Sequence, residues 1–401
     1  MKRYWKLAVL IPFIALSTGM YYITESGGNR PEFYLKTMAG DEKEATSLDV
    51  KADFGMEILS INTQGSTYRN ELISYWETLY THRNHNEELR RLVKEHRQFM
   101  RGKTDISVLY QSDTILGYVD ENHDDNLGMQ SDVFTVSLLD KSKNVSSSFD
   151  IKLPKKNVQE IIHISDVQIK GQTMKLLANV WGRGQSTNSE QVRQYTVDLD
   201  QKRLVEDRML LPNISEDKDI QISVEEVYKP DPYKKTNYAV FELTHLKKGE
   251  TKSPESDTNN VVHRELVVYD KRSETLKKVD HAQIHTFLNK KKNPEDLFIR
   301  QSGDDLYFAL WSNEKGPKIL YYNIADNKVK NEVSIALQAN RHDVNVSRIA
   351  NNRLYLLVRS HVAPKVIVAE LETGKIVYQG AVSRKDNNET NNLGLNNFTL
   401  Q

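Results

Sequence analysis

Between Asp140 and Gly374 one short pattern keeps returning: an apolar strand, an acidic turn with a Lys or Arg close by, and a second strand. The apolar segments start at Phe134, Tyr195, Val267, Tyr322 and Val366, and the acidic marks fall at Asp140, Asp200, Asp270, Asp326 and Glu372. A second apolar strand precedes each mark, ending at Val119, Trp181, Leu243, Trp311 and Val358. A supersecondary unit that cannot cover its own apolar faces is stable only when copies stack, so the repeat constrains the fold more than any single residue does.

The spacing of the marks, 46 to 70 residues, is that of propeller repeats (about 40 to 50) with extra residues in the loops. Residues 105–401 therefore read as β-propeller repeats. Strands between residues 33 and 61 would complete a closing sixth unit and remove exposed sheet edges. In its strand, acidic turn, Lys and strand pattern over residues 105–380 the chain resembles bacterial extracytoplasmic β-propellers, a likeness of architecture only. No Trp-Asp dipeptide, kelch double glycine or sialidase Asp-box names a subfamily. The expected fold is all-β: a propeller of five to seven blades with a helical hairpin insertion and an N-terminal transmembrane helix. A pair of ordinary antiparallel β-domains is the alternative, since their hairpins use the same turn residues.

The hairpin is expected within residues 69–101. Leu89, Leu92, Val93, His96, Phe99 and Met100 recur at helical spacing, Asn84 and Glu87 form a capping box, and Gly102 supplies the stop. Its polar side carries Arg90, Arg91, Lys94, Arg97 and Arg101. At the N-terminus, Lys2, Arg3 and Lys6 precede an uncharged run from Leu7 to Ile23. The positive-inside rule makes 1–6 a cytoplasmic tail, 7–23 an anchor, 24–32 a linker, and 33–104 the N-terminal strands with the insertion. A signal peptide cleaved near Ala15–Ser17 is the alternative, giving a secreted protein. The absence of Cys excludes disulfides, a thiol nucleophile and Cys-bound zinc, and fits export by a Gram-positive bacterium. Lys+Arg 55 balances Asp+Glu 55, so the basic field that draws nucleic acid is missing.

Recognition is expected on the unequal loops between second and third strands: 120–128, 182–188, 247–260, 312–317 and 360–364. Trp181 and Trp311 end second strands in register, where rim aromatics would stack on a sugar or anchor a peptide. Asp120, Asp124, Arg183 and Arg359 are the polar candidates beside them. The 120 loop imitates a calcium loop through Asp120, Asn122, Asp124 and Asn126, but Asp125 replaces the turn Gly and Ser131 the bidentate Glu. Neither His82 with His85 nor His281 with His285 has the Glu of a zinc-protease helix, and nucleophile-elbow, P-loop and dinucleotide fingerprints are absent. Neither metal, cofactor nor catalytic residue is expected. The expected function is a membrane-anchored extracytoplasmic scaffold or sensor that binds another membrane or envelope protein, or an envelope ligand. The alternative is a propeller-fold enzyme acting on carbohydrate or another envelope substrate.

Overall fold

A computed structural model describes residues 12–14, 16–17, 30–55, 57–69, 87–121, 123–124, 129–130, 133–154, 160–182, 190–212, 217, 219–227, 236–247, 261–289, 297–312, 316–337, 339, 343–359, 363–386, 388, 390 and 393–400. They form six antiparallel sheets of four or five strands, a propeller-like all-β layout, and one two-stranded ribbon, His123–Asp124 with Met129–Gln130. Two compact units divide the chain.

The larger unit, residues 75–341 with 371–374, holds four sheets, each built from four strands in chain order. The first contains Leu109–Gln111, Ile115–Asp120, Val133–Asp140 and Val145–Lys152, and the second Glu160–Lys170, Thr173–Gly182, Glu190–Asp198 and Arg203–Leu211. Ile220–Glu226, Tyr238–Lys247, Val261–Asp270 and Thr275–Lys278 make the third; Leu297–Ser302, Asp305–Ser312, Gly316–Asn323 and Lys328–Ser334 make the fourth.

The second strands run apolar without a break because both of their faces are buried. Successive side chains of a strand point to opposite faces. In the second sheet, Leu176, Ala178 and Val180 enter a core with the first sheet, while Leu177 enters the next core with the third. In the third sheet, Ala239, Phe241 and Leu243 face back to the second, and Tyr238 and Val240 face forward to the fourth. A continuous apolar run is what such a strand must have.

The smaller unit, residues 1–74, 342–370 and 375–401, interlaces the two ends of the chain. Phe33–Gly40 adds to the edge strand Ile376–Arg384 of a sheet that continues through Lys365–Glu370 and Arg353–Val358 to Val344–Ala350. The sixth sheet pairs the last strand, Leu393–Leu400, with Leu48–Phe54, followed by Glu57–Ile61 and Ser66–Tyr68. Arg353 ties the unit together, donating to both carboxylate oxygens of Glu44 at 2.9 and 3.0 Å and to Glu370 at 3.0 Å.

The acidic turns are one device used repeatedly. Asp140 Oδ1 accepts the N–H groups of Ser142 (2.9 Å) and Lys143 (3.1 Å). Asp198 does the same for Asp200 and Gln201, and Asp270 for Arg272 and Ser273. Asn323 accepts from Asp326. Four residues beyond each cap the chain turns left-handed, at Asn144 (φ 52°), Lys202 (53°), Glu274 (57°) and Asn327 (53°), with Gly374 (74°) at the equivalent place after Glu370. In two turns the cap precedes the acidic mark, 198 before 200 and 323 before 326, because a short side chain reaches only the N–H groups two or three residues ahead. The turns also touch the preceding sheet. Lys271 Nζ lies 3.0 Å from Asp166, Glu274 pairs with Lys175, and Asn331 donates to the carbonyls of Leu371 (3.0 Å) and Glu372 (3.1 Å).

Of the expected hairpin, the second helix is present as Glu87–Glu95, and the stop at Gly102 has φ +77°. Leu89 and Leu92 are buried in the core of the first two sheets with Phe99 and Met100. Arg91 is held by Glu88 and Glu95 along the helix, so part of the expected basic face is neutralised within it. The part of the hairpin expected over 70–86 lies outside the described residues. Among the described residues no helix is long and apolar enough to cross a membrane. The anchor expected over 7–23 is thereby corrected, and with it the single-pass membrane localisation. Of that segment only 12–14 and 16–17 are described, as helix.

Two outcomes follow from the turns. At Gly374 a Cβ would lie 2.4 Å from the Ser334 carbonyl oxygen and 2.7 Å from Val333 Cγ2, on top of a left-handed backbone. Gly374→Ala should cost about 2–4 kcal/mol and Asn144→Ala only about 1, the share due to backbone conformation alone; equal losses in denaturant unfolding would refute the clash. The second concerns Asp140, whose carboxyl is held down at about 2 by the Ser142 hydroxyl and the Lys143 N–H. Its folded value is depressed, so its contribution is complete above the unfolded value near 4 and is lost as pH falls through about 2. Asn323 shows that an amide forms the same turn. The stability gap between wild type and Asp140→Asn should thus stay constant above about pH 4 and change between pH 4 and 2; a pH-independent gap would contradict this account.

Candidate metal centre

In the third sheet the second and third strands pair from Tyr238 opposite Asp270 out to His245 opposite His263, where the register shifts. The strand period then decides which side chains share a face. His245, His263 and Glu265 lie on the face that carries Leu243, Val267 and Phe241, whereas Arg264 points the other way and donates to Glu242 at 2.7 Å. The two histidines and the carboxylate therefore stand at the outer margin of the apolar core shared with the second sheet, at the strand ends that border residues 248–260.

The imidazole rings of His245 and His263 are stacked, with centroids 3.8 Å apart and planes 18° from parallel. Glu265 Oε1 lies 3.4 Å from His245 Nε2, and its other oxygen, Oε2, is taken by Lys278 Nζ from the fourth strand. His245 and Glu265 keep only 13% and 15% of their side-chain exposure. One ligand atom from each of the three residues falls within 4.8 Å of the others. His263 is exposed, yet partial desolvation holds its imidazole below its usual value, and His245 and Lys278 add to this while Glu265 opposes it. Burial alone would raise the Glu265 carboxyl, but hydrogen bonding and charge from Lys278 and His245 bring it below the usual range.

This arrangement suits a cation. Two neutral imidazoles and one carboxylate are a borderline donor set, fitted to zinc and its first-row neighbours rather than to oxygen-loving calcium or magnesium. Bonds of about 2.1 Å in tetrahedral geometry set ligand atoms about 3.4 Å apart, so the His245–Glu265 pair is already spaced for a shared ion. The stacked rings are not: parallel imidazoles direct their lone pairs side by side, and coordination requires a side-chain rotation that splays them.

No protein-family model matches the chain, and no curated relative matches it. Among solved structures it is similar to an uncharacterized protein of Listeria monocytogenes, at 13% identity and TM-score 0.30, over 70% of this chain and 68% of that one. It is also similar to the Synechocystis apocarotenoid oxygenase in cobalt-substituted form, at 8% identity and TM-score 0.34, over 72% and 61%. A prolyl endopeptidase shows 9% identity and TM-score 0.30, over 78% of this chain and 50% of its own. The chain thus spans half to two thirds of the length of these structures. At such TM-scores the likenesses bear on neither the site nor its chemistry, and there is no family evidence for an extracytoplasmic subfamily.

The residues expected from the sequence to form a site come from different sheets. Trp311 is buried at 5% exposure, its indole Nε1 without a hydrogen-bond partner. Trp181 is half-buried in another sheet, opposite Ile161 and Glu190. Asp120 is exposed at the end of a first-sheet strand, Asp124 lies in the two-stranded ribbon, and Arg359 belongs to the smaller unit. Arg183 and most of the five loops lie outside the described residues, as do His82 and His85. Of the second histidine pair, His285 Nε2 is 3.0 Å from Asp280 Oδ1, and His281 meets the Tyr322 ring edge-on. Sequence reasoning passed over His245, His263 and Glu265 because it sought helical spacing. The usable signal was His263-Arg264-Glu265, a two-residue period that puts two ligand types on one strand face.

Proposed function

We propose that this chain is a propeller-like metalloprotein whose His245, His263 and Glu265 bind a divalent transition-metal ion, zinc being the best match to the donors. The observation that carries this reading is the convergence of the three ligand atoms within 4.8 Å on two hydrogen-bonded strands. Three protein ligands are the number used by catalytic zinc sites, which keep a further position for water or substrate, whereas structural sites are closed by four. The reading thus favours a propeller-fold enzyme, with the ion as Lewis acid or activator of water. No described feature supports a non-catalytic scaffold or sensor. A carbohydrate substrate also lacks support, since Trp311 is buried.

In this reading the apolar floor formed by Leu243, Val267 and Phe241 excludes water from one side of the site and strengthens attraction between the ion and Glu265. Neutral imidazoles are the form that binds metal, and the depressed value of His263 favours that form.

Isothermal titration of the dialysed protein with zinc chloride should show one equivalent bound, and a hundredfold excess over Kd should stabilise the fold by about 2.7 kcal/mol. His245→Ala, His263→Ala and Glu265→Gln should each reduce affinity by more than the 10- to 100-fold typical of losing an outer-shell partner, with unchanged circular dichroism. Wild-type-like binding in all three variants would show that the ion sits elsewhere.

A further inference from the structure

Lys278 is the fourth member of the cluster, and it is placed by the same ladder. It stands opposite Val267 on the fourth strand, one diagonal step from Glu265 on the shared face. Diagonal neighbours in an antiparallel pair lie within reach of long side chains, and the Lys278 ammonium is on Glu265 Oε2. The other oxygen, Oε1, is the one that faces His245 Nε2 at 3.4 Å. The two oxygens of one carboxylate are therefore assigned to different partners.

We infer that Lys278 is a positioning residue that restricts Glu265 to a single metal bond and so keeps a coordination position open for an exchangeable water or anionic substrate group. This rests on the metal-binding reading above. A carboxylate whose second oxygen is engaged by a cation presents one oxygen to the metal, and outer-shell partners orient metal ligands in this way. Lysine suits the task in a way arginine does not. Its ammonium is a compact point charge that takes one oxygen, while the planar guanidinium fork takes both oxygens of a carboxylate together. Lys278 is also more than half exposed, at 55%, so it can be exchanged without opening the core.

The test uses cobalt(II) as the probe, because four-coordinate cobalt(II) absorbs visible light several-fold more strongly than five- or six-coordinate cobalt(II). The full-length wild type, loaded with one equivalent, should give the strong spectrum, and azide should change it by taking the open position. In Lys278→Met, the second oxygen of Glu265 takes the open position, so the ion stays four-coordinate: the absorption should remain strong while the azide response disappears. In Lys278→Arg, the fork competes for both oxygens, and cobalt affinity should fall at least about tenfold. If Lys278→Met keeps the wild-type azide response, or if Lys278→Arg behaves as wild type so that charge alone suffices, the role assigned to Lys278 is wrong while the metal site stands. If the wild type takes up no cobalt, the metal-binding reading itself fails.

Discussion

The constraint on which this structure depends is the burial of inner strands on both faces. A strand such as Tyr238–Lys247 sends Phe241 and Leu243 into one core and Tyr238 and Val240 into another. Such a strand has no face to leave in water, so a single sheet cannot be stable and each copy recruits the next. Within the larger unit this yields three successive cores between four sheets. In the smaller unit the same demand is met by the two ends of the chain, which supply Phe33 and Leu35 on one side and Leu395 and Phe398 on the other to a single core.

The turns make stacking geometrically regular. The same four-residue connection, capped by an Asp or Asn oxygen and ended by a left-handed residue, recurs with its first N–H bonded to a carbonyl of the neighbouring turn. Lys141 bonds to Thr114, Leu199 to Gln172, Lys271 to Asn237 and Ile324 to Asp304, at 2.8 to 2.9 Å. The side chains on these turns then pair with the preceding sheet, as Lys271 does with Asp166. The acidic residues thus satisfy backbone donors first and carry charge second, which is why an asparagine serves equally well at 323.

The candidate metal centre is a by-product of this regularity. Ladder register places His245 beside His263, the strand period adds Glu265, and the diagonal adds Lys278. The apolar core beneath them lowers the local dielectric, so unpaired charge there is costly and the carboxylate is held by Lys278. A cation shared by the imidazoles and the carboxylate would satisfy all three groups at once.

Read alone, the sequence determined the class of fold, the number of repeats within narrow bounds and the second helix of the insertion, because strand period, turn chemistry and helical spacing are local properties. It also placed the second strands correctly, since a strand buried on both faces leaves an unbroken apolar run. It marked the turns but not which residues cap them, because any nearby Asp looks alike until hydrogen bonds are drawn, and it proposed a membrane anchor that the described helices do not support. Only the tertiary structure brought His245 to His263. The connection over 248–260 is too long for turn geometry to set the register, so that pairing is decided by which residues the cores on either side of the sheet bury.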